Sequence, residues 1–465
     1  MNPQGERWTT DQVRALAPDE ASRRAGGRLA APGPWSETGA DDAAVWGQCK
    51  GSGKTPYRTV VDLNGPAFSC SCPSRKFPCK HALGLLLLWA GEAGVVAAGE
   101  PAPWAGEWLA GRRERAGRSA GPAAGAGAAS RAPADPEAAE RRAARRLRRI
   151  GAGAVELEQR LEDLLRSGLA SAGHPGGGAS RPGGTGSGGG SWDETAARMV
   201  DAQAPGLASR VRELGAVAAS GPDWPARLLE ECALLHLLDQ GFLGLDRLPA
   251  PLAATVRSRV GLTTETADLL TGPEAATLRD RWLVLAQQDG SEGTLLTRRI
   301  YLRGERTGRM ALHLSFGGAG RPPELALPPG LVLDADLAYY PGARPLRAAL
   351  GERHAPAAPG PVPPGCGIDA ALTAYGDALR DDPWLDSWPV VLSDVTPIPG
   401  RDGAGWQLAD ADGESALPLD PRSSGGAGRW QLAAISGGAP VTVFGECGHR
   451  GFRPLTVWDP TPVSL

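Results

Sequence analysis

An α+β, multidomain fold is what this chain of 465 residues predicts: a small ββα metal-binding module at the N-terminus, linkers carrying a charged helix, and a larger C-terminal region that is helical first and β afterwards. Three observations predict it. Cys70, Cys72, Cys79 and His81 fall within one short stretch, directly ahead of the apolar run Ala82 to Trp89. Glycine and proline, 65 and 42 residues, are concentrated in a few stretches, which marks linkers. After Trp192 the apolar residues recur at helical spacing, and beyond Trp282 they alternate as in strands.

Composition bounds the rest. The length fits roughly two to four domains. A net charge of −3, from 49 basic and 52 acidic residues, calls for neither nucleic acid nor membrane as a partner of the whole chain. Met1 to Asp11 is polar, without the apolar core of a secretion signal, and no apolar run is long enough for a bilayer. With seven cysteines and no export signal, the reducing cytoplasm is the expected setting.

The first module is expected over residues 1–110. Residues 1 to 47 read as helical and irregular, with helix starts at Trp8-Thr-Thr-Asp11 and Ala17 to Ser22. Arg58 to Leu63 is β-branched and reads as a strand. Asn64-Gly65 is a hairpin turn signal, and Ala67 to Cys72 is the returning strand. Gly51-Ser-Gly-Lys-Thr55 imitates the end of a phosphate loop, but Gln48 stands where its first glycine belongs and a strand follows instead of a helix, so no nucleotide is expected.

The ligand spacing is Cys-x-Cys-x6-Cys-x-His. Cys-x-Cys thiols bridge each other poorly, which disfavours disulfides. Strand residues two apart share a face, with Cα atoms roughly 6.6 Å apart. Two sulfurs on one zinc ion sit about 3.8 Å from each other, so Cys70 and Cys72 can lean together. Pro73, Ser74 and Pro78 turn the chain back to deliver Cys79 and His81. Three thiolates and an imidazole form a standard closed zinc tetrahedron, structural and not catalytic. The four lysines, Lys50, Lys54, Lys76 and Lys80, all lie in or beside this stretch. With Arg58 and Arg75 they outnumber the one acid between Gln48 and His81, Asp62, and leave the zinc-bound module at about +4, a candidate nucleic-acid surface.

These residues resemble the SWIM-type zinc finger, whose pattern Cys-x-Cys-xn-Cys-x-His is matched at Cys70, Cys72, Cys79 and His81. Trp46 to Tyr57 and Ala196 to Leu207 are similar to actinobacterial SWIM proteins, so the resemblance extends over most of the chain, with the finger its specific part. It implies zinc as cofactor and binding of DNA or protein, with no reaction.

Beyond the finger helix, Trp104 and Trp108 are expected to pack back on it. A flexible linker is predicted over 111–136 and a Gly/Ser-rich one over 171–191. Between them, 137–170 reads as a charged amphipathic helix. Leu147, Ile150, Leu157, Leu161 and Leu164 form its apolar stripe, which calls for a protein partner, and Gly151 and Gly153 are candidate breaks. Its arginine-rich first half fits either a solvated face or nucleic acid.

Residues 192–465 form the C-terminal α+β region. Helices are expected over 194–214, 224–238, 265–270 and 368–379, and strands over 295–302, 310–316, 331–340, 390–392, 405–409, 416–419, 429–435 and 441–444. Trp406-Gln-Leu-Ala and Trp430-Gln-Leu-Ala have the form of a degenerate repeat of hairpins. Cys232 and His236 read as a buried structural pair, and Cys447-Gly-His449 as half a metal site without its other half, where no metal is expected. No Gly-x-Ser-x-Gly, His-Glu-x-x-His or complete phosphate loop is present, and the pairs Asp334/Asp336 and Asp381/Asp382 have no recognisable partner. A zinc-binding, non-enzymatic protein is expected, with DNA or protein as partner on even terms; the alternatives are a protein-interaction adaptor without nucleic-acid binding and, after it, an enzyme in the C-terminal region.

Overall fold

The computed structural model describes residues 8–51, 53, 55–63, 67–74, 76, 78–91, 94–119, 136–169, 190–217, 221, 223–273, 275–292, 295–317, 323, 325–400, 405–421 and 427–465. The predicted Asn64-Gly65 turn, and most of both predicted linkers, lie outside the described residues.

The N-terminal part starts with helices α1 (Thr10–Ala15) and α2 (Glu20–Gly27). Thr9 and Gln12 close α1 reciprocally, and the Asp19 carboxylate accepts from the Ser22 N–H to cap α2. The stretch after α2 is not irregular. It holds β1 (Trp35–Ala40) and β2 (Ala44–Cys49), which join β3 (Tyr57–Asp62) and β4 (Ala67–Cys70) in an antiparallel sheet of order β1-β2-β3-β4. Asp41 makes the first turn by accepting from the N–H groups of Ala43 and Ala44. Gly39 lets β1 close on the Trp46 ring, since a Cβ there would lie 2.5 Å from it. The module is therefore a four-stranded sheet, not the single hairpin of a ββα unit.

Alternation along β3 then assigns the two faces. Val61 faces α3 (Lys80–Ala90), and Val60 joins Ala44 and Trp46 against Ala105 and Leu109 of α4 (Pro103–Ser119). Trp104 and Trp108 flank this second contact, so they pack on the far face of the sheet and not on the finger helix.

The bundle comprises α5 (Pro136–Ser167), α6 (Gly190–Asp201), α7 (Pro205–Val217), α8 (Trp224–Leu243) and α9 (Ala250–Val260), with the short α10 (Thr266–Thr271) after it. Ile150, Leu157 and Leu161 of α5 are buried against Met199, Leu207, Leu214, Leu235 and Val256. The apolar stripe thus finds its protein partner within the chain, while Leu147 stays 39 % exposed. Neither Gly151 nor Gly153 breaks α5. Gly153 admits α6, for a Cβ there would come within 2.6 Å of the Ala202 methyl. The helix expected over 194–214 is two helices, because Gln203 takes φ 62 and Pro205 excludes helical geometry before it.

Two more antiparallel sheets follow. β5 (Thr277–Glu292), β6 (Leu295–Gly304), β7 (Met310–Gly317), β8 (Leu331–Tyr339), β9 (Ala348–Arg353) and β10 (Ala358–Pro359) run in the order β10-β8-β5-β6-β7, with β9 also on β8. After α11 (Ile368–Asp381) come β11 (Ser387–Ile398), β12 (Gln407–Ala409), β13 (Ala416–Pro418), α12 (Ala427–Ser436), β14 (Val441–Gly448), β15 (Gly451–Asp459) and β16 (Thr461–Ser464), in the order β13-β12-β11-β14-β15-β16. The strand expected over 429–435 is helix α12, with Gly428, Leu432 and Ser436 buried at a spacing of four. Trp406 and Trp430 are therefore not equivalent repeat positions. Their rings meet edge to face, with centroids 4.9 Å apart.

The finger helix does not have a core of its own. Leu83, Leu85 and Leu86 of α3 share one apolar cluster with Trp282, Val284, Ile300, Leu302, Leu331 and Leu333 of the β5–β8 sheet. The Gln12 amide donates to the Gly330 carbonyl at 3.2 Å across the same junction.

Candidate metal centre

β4 ends at Cys70, and Cys72 follows on the same side of the chain. Cys79 is the N-cap residue of α3, with extended backbone, and His81 lies in its first turn. The helix start thus points two ligands back at the strand end. One donor atom from each of the four residues lies within 4.8 Å of all the others. His81 Nδ1 sits 3.7 Å from Cys70 Sγ and 4.0 Å from Cys79 Sγ. A tetrahedral zinc with its usual bond lengths needs an S···N edge of about 3.6 Å, so the donor set fits the ion. Cys79 and His81 are buried, and Cys70 and Cys72 are half-buried.

Without a cation the three thiols cannot all ionise. Cys70 is drawn down to about 4, chiefly by the hydrogen bond from Cys79, against the opposing effect of burial. Cys79 is pushed up, first by that same hydrogen bond and then by burial, and Cys72 is pushed up by burial. One thiolate is stabilised at the expense of its neighbours, and a divalent ion is what removes the conflict. Thr59, opposite Cys70 in the ladder, brings its hydroxyl to 3.3 Å from Cys70 Sγ. The Tyr57 ring packs against the His81 imidazole at a tilt of 36°, centroids 4.9 Å apart, and helps orient it. Neither residue stood out in the sequence. The signal was the hairpin register, which sets Thr59 against Cys70.

The predicted basic residues divide. Lys50, Lys76 and Lys80 line one cleft of about 610 Å³ together with Tyr57, Cys72 and His81. Lys76 is engaged there, its ammonium 2.6 Å from Asp19. That bond, with the Ser22 N–H, holds the Asp19 carboxyl down at about 2. Lys76 therefore ties the ligand loop to α2. Arg58 points to the other face, its guanidinium 5.8 Å from the centre of the Trp104 ring. Lys54 and Arg75 lie outside the described residues.

The other candidates find ordinary partners. Cys232 is buried, but His236 is exposed and bonds Glu158 of α5 at 2.6 Å, so the two are not a buried pair. Asp334 pairs with Arg279, Asp336 with His354, Asp381 with Arg344 and Asp382 with Arg259. Glu352 stands close enough to Asp336 and His354 to make a second ligand cluster, although two of the three are exposed. No helix among the described residues is long and apolar enough to cross a membrane.

A small sheet and a helix start gripping one ion through three sulfurs and a nitrogen define a zinc finger. Residues 57–90 match the family model of the SWIM zinc finger, and residues 145–260 match that of the SWIM-associated four-helix bundle domain. The chain thus carries a SWIM zinc finger and, further on, the bundle domain associated with it. No curated protein and no solved structure matches the chain.

Proposed function

We propose that this chain is a non-enzymatic, cytoplasmic binding protein whose zinc-held finger engages nucleic acid. The observation that carries the reading is the cleft beside the ligand cluster, where Lys50 and Lys80 stand exposed and no acidic side chain is among the lining residues. A closed Cys3His set has no coordination position for water, which supports a structural ion. Zinc-bound thiolates also suit a reducing compartment.

The test is fluorescence anisotropy of the zinc-loaded full chain with a labelled oligonucleotide, single-stranded and duplex, between 50 and 200 mM salt. Affinity should fall steeply with salt, and Lys50→Ala/Lys80→Ala should weaken it about tenfold. No binding at the lowest salt, or a flat salt response, would reject the reading. A second reading, a protein adaptor, is favoured by Leu229 and Leu237, which stay 48 % and 46 % exposed eight positions apart along α8. Under that reading Leu229→Asp/Leu237→Asp abolishes capture of a protein partner and leaves oligonucleotide binding unchanged.

A further inference from the structure

A second basic surface lies far along the chain from the finger, on the bundle. A cleft of about 910 Å³ is lined by Arg142, Arg145, Arg146 and Arg149 of α5, Arg257 of α9, and Arg347 just ahead of β9. No acidic side chain is among its lining residues, and none of the six arginines forms an ion pair among the described residues.

The two halves of α5 show that this is not the usual state of a solvated helix. In its second half Glu156 meets Arg160, Glu162 meets Arg166, and Asp163 also meets Arg166, all three or four residues apart. In its first half Arg142, Arg145, Arg146 and Arg149 recur at those same intervals with like charge. Each such pair costs the helix roughly 0.2–0.5 kcal/mol. Arg257 and Arg347 then bring two further positive charges from separate elements to the same place. Three of the guanidiniums are positioned, Arg145 by donating to the Arg141 carbonyl at 3.3 Å. Arg146 donates to the Gly261 carbonyl at 3.2 Å, and Arg347 lies 4.2 Å over the Tyr340 ring, whose hydroxyl is in turn hydrogen-bonded to Thr266.

We propose that this arginine cleft binds the phosphate backbone of a nucleic-acid strand, as a site separate from the finger. Guanidinium forks match phosphate oxygens two at a time. From Arg142 to Arg149 the helix advances about 10 Å, the length of roughly three stacked nucleotides. Arg257 and Arg347 join the α5 arginines in lining one cleft, so the charges meet on a single length of backbone. The site does not depend on the finger reading, because it shares no residue with the lysine cleft.

The experiment uses the zinc-loaded full chain and a labelled single-stranded oligodeoxynucleotide, comparing the parent with Arg145→Gln/Arg149→Gln. Both positions are exposed, so helicity and zinc content serve as checks that the variant is folded. The expected result is a loss of tenfold or more in affinity, and a salt slope shallower by about 1.4, the value for two lost phosphate contacts on a single strand. Unchanged affinity and slope overturn the proposal. So does a polyglutamate chain that binds the parent as tightly as the oligonucleotide and is lost equally in the variant, since the cleft is then a general acidic-polypeptide site. If the Lys50/Lys80 variant binds as the parent does while the arginine variant fails, the finger reading falls and this one stands.

Discussion

The finger and the bundle solve the same problem with different means. Each presents arginine or lysine side chains on a compact support. The finger sheet is small, and its ligand loop is held by one ion and by a core borrowed from the β5–β8 sheet. The bundle is held by an apolar interior that runs from Ile150 on α5 to Val260 on α9 and takes in Trp384, which follows α11. The difference teaches where each region can fail. Loss of one ion reaches across a core shared with a whole sheet, whereas the bundle core takes from the later chain chiefly one side chain, Trp384.

The sharpest way to break this comparison is to take away the metal. Structural zinc contributes on the order of 10 kcal/mol to the folding of small modules. From its sequence the finger looks separable, so that a ligand variant unfolds the N-terminal part alone. The shared core changes that outcome. Chelation or Cys79→Ala should expose the amides of α3 and also reduce hydrogen-exchange protection in β5, β6 and β8, with α5 to α9 protected as before. Full protection of β5 after zinc loss would show that the two parts are energetically separate.

The converse test is smaller. Leu157 is 1 % exposed in the bundle core, and Leu157→Ala should cost about 2–5 kcal/mol. Thermal unfolding should show the bundle transition moving down while zinc content is unchanged. A zinc loss in this variant would join the regions that the comparison separates.

How much of this was legible in the sequence follows from how local each signal is. The ligand set was readable because its four residues are close in sequence and chemically unambiguous. The pairing of β6 with β7 was readable from two alternating runs around Arg303 to Gly308. The β1–β2 hairpin was not, since Gly39, Ala40 and Ala44 show little hydrophobic contrast and their fit depends on the Trp46 ring. The partner of the α5 stripe was hidden because it lies some fifty to a hundred residues further on. The sequence likewise grouped Arg58 with the lysines, but strand alternation turns it to the Trp104 side. A count of charges along the chain cannot see which face carries them.

A pH-dependent test concerns the bundle alone. Asp239 of α8 is fully buried, and neither of its carboxylate oxygens has a hydrogen-bond partner among the described residues. Burial, then the facing Glu158 carboxyl, pushes its pKa up to about 9. In the unfolded chain it ionises near 3.9. The folded state therefore holds a proton that the unfolded state releases, and stability declines as pH rises from about 4 through 9. Asp239→Asn cannot ionise, so it should lie above the parent in melting temperature at pH 8, with the gap closing towards pH 4. The readout is the melting temperature at a series of pH values. A gap independent of pH would show that the carboxyl is not the titrating group.

The central claim is that four side chains close on one ion. Elemental analysis of the purified full chain tests it most directly, alongside His81→Ala. The account predicts about one zinc per chain, and its loss in the variant. A chain that folds without zinc, or a variant that keeps its full complement, would contradict it.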